Sequence, residues 1–88
     1  MSNKRKLKKT INLICESLLA ECMAASLYGH NRDSAKSLLY CVIKTESDFI
    51  SRISHPEPGM PAKQYYNTLK NDFVEQVNEI IDHLNHNH

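Results

Sequence analysis

Every proline and both glycines of this 88-residue chain fall in two places, at Gly29 and within the stretch 56–61. Proline lacks the backbone donor a helix needs, and glycine loses the most entropy on entering one. The three long segments between these breakers are rich in Leu, Ile, Lys, Glu and Asn and are free to be helical throughout.

Apolar spacing supports that reading. At the helical repeat, Leu7, Ile11, Ile14, Leu18, Cys22 and Ala25 fall within about 80° of arc. This predicts a first helix over about residues 6–28, closed by Gly29 in the left-handed position. Asn31 or Asp33 can cap a second helix over about 33–54. Its apolar face carries Ala35, Leu39, Val42, Ile43, Phe49, Ile50 and Ile53. Pro56 and Pro58 stop it, Glu57-Pro58-Gly59-Met60 has the centre of a type II turn, and Pro61 suits the first position of a third helix. That helix, about 61–85, places Ala62, Tyr66, Leu69, Phe73, Val77, Ile80 and Leu84 on one stripe.

The expected fold is all-α, an up-down-up three-helix bundle formed by residues 7–85. Residues 1–6 read as a basic, disordered leader and 86–88 as a polar His/Asn tail. A chain of this size buries only roughly 60–65% of its extended surface, and association is a common remedy. Surplus apolar surface is at hand. Leu13, Leu19, Met23 and Leu27 lie outside the first helix's core stripe, and Tyr40 and Cys41 follow across the hairpin. These six residues are the expected interface of a homodimeric six-helix assembly, or of a complex with another protein.

Charge divides the chain unevenly. Five of the eleven basic residues are Lys4, Arg5, Lys6, Lys8 and Lys9, leaving six against ten acidic residues from Thr10 onward, a balance of −4. The basic cluster is a candidate phosphate contact, which makes a nucleic-acid accessory protein one alternative. No second segment carries a basic face spaced for groove reading.

The basic start followed by Leu and Ile imitates a secretory signal, but Asn12, Glu16 and Glu21 interrupt its apolar region. Glu21 also stands where a lipoprotein motif has a small residue, and no uninterrupted apolar run approaches membrane-spanning length. Cys15 and Cys22 are about 10 Å apart along a helix, too far for a disulfide. Reduced thiols and a cytoplasmic location are the expectation.

Two further constellations carry possible chemistry. Glu46 interrupts the second helix's stripe and is a candidate buried acid. His30 in the hairpin and His83 and His86 near the last turn of the third helix would meet at one pole, a candidate Zn²⁺ or Ni²⁺ site that defines a metal-responsive alternative. The run from His55-Pro56 to Tyr65-Tyr66 resembles the nuclease-colicin immunity proteins. Ala62, Lys63 and Gln64 stand where those proteins are acidic, so no role is carried over. No nucleophile elbow or phosphate-binding glycine loop is present, and neither catalysis nor a cofactor is expected.

Overall fold

The three breaker-free segments become three helices. The computed structural model describes residues 4–29 and 32–86, with α1 over Lys4–Tyr28, α2 over Arg32–Ser54 and α3 over Ala62–His86. Among the described residues there is no strand. The fold is all-α, a helical bundle in the form of a slender rod of 47 × 18 × 15 Å.

Boundaries shift slightly from the sequence expectation. α1 begins at Lys4, so Lys4, Arg5 and Lys6 belong to a helix and not to a leader. Lys and Arg are good helix formers whose long stems lose little freedom there. Residues 1–3 lie outside the described residues, as do residues 87 and 88 of the expected tail, while His86 ends α3. Pro61 lies just before α3, where its carbonyl accepts from the Tyr65 N–H at 2.9 Å and opens the helix.

The two joints use glycine differently. In the second, the Met60 N–H donates to the Glu57 carbonyl at 3.4 Å and Gly59 has φ of 89°, the left-handed centre a type II turn requires. Gly29 does not adopt that region, contrary to the sequence expectation. Its N–H donates to the Ala25 carbonyl at 2.8 Å, and a Cβ there would stand 2.5 Å from that oxygen. Close approach, not backbone handedness, selects this glycine.

Each helix buries one stripe. Ile11, Cys15, Leu18 and Cys22 from α1 meet Leu38, Val42, Phe49 and Ile53 from α2, and Leu69, Phe73, Ile80 and Leu84 from α3; Ala35 of α2 is buried as well. Phe49 and Phe73 form an edge-to-face pair at 5.3 Å between ring centres, which joins α2 to α3. Beside them the Arg52 guanidinium lies 4.9 Å from the Phe49 ring centre and reaches Asp48 at 3.3 Å and Asp72 at 3.9 Å. Ile43, expected on the core face of α2, is exposed because it sits about 100° round the helix from Val42, on the shoulder of the stripe. Ala62 is likewise exposed, one residue past the proline loop.

The C-terminal end of α2 is closed by tyrosines. The last carbonyls of a helix have no partner within it. Here the Tyr65 hydroxyl donates to the Arg52 carbonyl at 3.0 Å, and the Tyr66 hydroxyl to the Ile53 carbonyl at 3.2 Å. Two adjacent residues of α3 thereby fix the exit from α2 and the start of the proline loop.

Candidate interaction surface

A helix needs one apolar stripe to join a bundle, and α1 has apolar side chains well beyond its own. Leu13, Met23 and Leu27 on α1 and Tyr40 on α2 remain 56%, 53%, 62% and 67% exposed. Helical spacing sets Leu13 and Leu27 opposite the Ile11–Cys22 stripe, with Met23 toward α2. Leu19 is half-buried and packs against the core, so it supports this surface from beneath. Cys41 is exposed, but about 100° round α2 from Tyr40, which turns it away from the same face. Ile43, on the other flank of Tyr40, extends the surface instead. Its position next to Val42 hid it among the core residues in the sequence.

A second apolar feature runs between α1 and α3, the two helices that approach each other least. Leu13, Ile14 and Leu18 face Val77 and Ile81 across a groove of about 390 Å³, with Ser17 and Glu21 on its rim. Leu13 is thus shared by the groove and the outer face of α1. Val74 and Ile81 are exposed on α3. They lie seven residues apart on the shoulder of its stripe, a signal the sequence carries but which core assignment overlooks.

Glu46 is half-buried, which corrects the expectation of a buried acid; no charged or polar residue is buried among the described residues. The aliphatic part of Glu46 covers the core while its carboxylate reaches solvent. Its charge is nonetheless felt nearby. Burial, and then Glu46, push the Cys15 thiol up to about 11. Burial raises the Cys22 thiol as well, with Glu21 and Cys41 adding to it. Both act as small apolar core groups and stay protonated at neutral pH.

The metal candidates lie largely outside the described residues. His30 lies outside the described residues, as does the side chain of His86, and His83 is exposed. Among the described residues no group of three or more His, Cys, Asp or Glu is placed to hold a metal ion. Of the basic cluster, Lys4, Arg5, Lys6 and Lys9 are exposed and Lys8 is half-buried. Spacing spreads them around the first turns of α1, with Arg5, Lys6 and Lys9 toward the face that carries Leu13.

Hydropathy adds one correction. An 18-residue window of α1 averages 1.3, so by length and composition this helix qualifies to cross a membrane, and 22% of that window is buried. Averaging absorbs the interruptions by Glu16 and Glu21 that break the apolar run in the sequence. No family, curated protein or solved structure matches this chain.

Proposed function

We propose that this chain is a protein–protein interaction and assembly module that acts as a homodimer, two up-down-up bundles joined in a six-helix assembly. The observation that carries this reading is the row of more than half-exposed apolar side chains, Leu13, Met23, Leu27 and Tyr40, over a core that is already complete without them. Covering each is worth about 1 kcal/mol at the remaining exposure, so eight across a two-fold contact give roughly 8 kcal/mol. Lost translational and rotational freedom opposes this by about 4 kcal/mol or more. The dimer is therefore concentration-dependent. Free thiols at Cys15, Cys22 and Cys41 fit a reducing compartment such as the cytoplasm. A membrane-crossing role for α1 would withdraw Ile11, Cys15, Leu18 and Cys22 from the core, which favours the assembly reading.

Light scattering on a sizing column over a range of loading concentrations tests this. The expected mass rises toward twice 10.1 kDa with concentration. Met23→Glu is expected to hold the mass at that of one chain with helical circular dichroism unchanged. A mass of one chain at every concentration overturns the reading.

A further inference from the structure

We infer that the two copies meet through α1, antiparallel, with Ala20 at the two-fold axis. The inference rests on the homodimer proposed above and specifies which surface makes it.

Positions 13, 16, 20, 23 and 27 repeat at intervals of three and four, the spacing of a helix–helix seam. Here they read Leu, Glu, Ala, Met, Leu, and all five are exposed. The row lies opposite the stripe α1 gives to its own core, so the helix can serve both. Pivoting an antiparallel pair at Ala20 seats Leu13 on the partner's Leu27, and Leu27 on the partner's Leu13. Ala20 then meets the partner's Ala20, where two small side chains let the helix axes approach. Glu16 falls across from the partner's Ala24, a small residue that leaves its carboxylate a path to solvent. Tyr40, level with about residue 21 when the hairpin is closed, flanks the axis from α2.

Charge selects the orientation. A parallel pair in register would set the Lys4–Lys9 clusters side by side, ten like charges at one end. The antiparallel pair separates the cluster centres by about 40 Å along the helix axis, well past a screening length of about 8 Å. It also brings each cluster to the C-terminal end of the partner's α1. That end carries partial negative charge, and α1 has no basic residue of its own in the last turn. Lys9 falls about one helical turn beyond the partner's Tyr28, within reach of a lysine side chain. Basic residues that oppose their own helix dipole at the N-terminus complement the partner's at the C-terminus.

Cysteine cross-linking of the full chain tests the register. In a Cys41→Ser background, which removes the exposed thiol, Ala20→Cys, Leu13→Cys and Leu27→Cys are each oxidised with copper phenanthroline. Products are read on non-reducing gels, with mass by light scattering before oxidation. The expected result is a covalent dimer from Ala20→Cys alone, and from a mixture of Leu13→Cys with Leu27→Cys, but not from either of those two alone. Self-linking at positions 13 and 27 overturns the inference in favour of a parallel pair. A dimer mass without linking at position 20 overturns it while leaving the homodimer standing on another face. The mass of one chain overturns both, including where that chain then sediments with anionic phosphatidylserine vesicles and α1 is a membrane-surface helix.

Discussion

The Tyr66 hydroxyl donates to the Ile53 carbonyl at 3.2 Å, tying α3 to the final turn of α2 at a partly buried site. Its neighbour Tyr65 donates to the Arg52 carbonyl at 3.0 Å and lies nearer solvent. Removing a hydroxyl from each asks different things of water. At Tyr66 the Ile53 carbonyl is left with restricted access to solvent, so Tyr66→Phe is expected to cost about 1 kcal/mol. At Tyr65, water can replace the lost donor, and Tyr65→Phe is expected to cost less than about 0.5 kcal/mol by the same reasoning. Urea denaturation checks both, as a lower midpoint at unchanged slope.

The α2–α3 contact combines an aromatic pair with an ion pair, and their magnitudes differ widely. Phe73 is 4% exposed and stacks edge-to-face on Phe49. Phe73→Ala is expected to destabilise by about 3–5 kcal/mol through lost burial and the cavity left behind. The Arg52–Asp72 pair is 3.9 Å long with both side chains about half exposed. Asp72→Asn is expected to change stability by less than about 0.5 kcal/mol. A comparable cost for the two variants in urea denaturation would contradict a contact held by the ring pair.

Much of this architecture is legible in the residue order because helix breakers and apolar period act locally. Pro58 and Gly59 specify their turn without help from the rest of the chain. The stripes of Ile11–Cys22 and Leu69–Leu84 follow from spacing alone. What spacing cannot decide is how wide a face each helix buries, since that depends on where its neighbours stand. Ile43 and Val74 are one residue from buried Val42 and Phe73, yet both are exposed because no third helix covers that shoulder. Glu46 shows the converse, with a charged head near the stripe tolerated because its stem can bend toward solvent. The caps by Tyr65 and Tyr66 join residues thirteen apart in sequence across the proline loop, a relation no local pattern encodes.

The two glycines should respond to substitution in different ways. Gly59 has φ of 89° with open space around its α-carbon, so backbone handedness is the constraint. Gly59→Ala is expected to cost about 1 kcal/mol, and Gly59→Asn less, because asparagine tolerates the left-handed region. Gly29 has an ordinary φ but a carbonyl oxygen at 2.5 Å from any Cβ. Gly29→Ala and Gly29→Asn are therefore expected to cost alike, since both introduce the same Cβ. Thermal melts of the four variants distinguish the mechanisms by whether asparagine rescues.

Cys15 gives the fold a signature at alkaline pH. Its thiol is pushed up from 9.0 to about 11 by burial and by the Glu46 carboxylate. Between these values the unfolded chain releases a proton that the folded chain retains, so the unfolded state gains from rising pH and stability falls. The thiol's contribution is fully present below about pH 9 and is lost as pH rises through about 11, at most about 2–3 kcal/mol. Cys22 acts in the same direction, since burial raises its thiol too. The test is a difference between two chains that differ only at this thiol. Urea midpoints of the parent and Cys15→Ala, taken from pH 7.5 to 11, are expected to converge above pH 9 as the parent loses its advantage. A constant gap up to pH 11 would mean that the folded thiol ionises as readily as the unfolded one, and that the core admits solvent at Cys15.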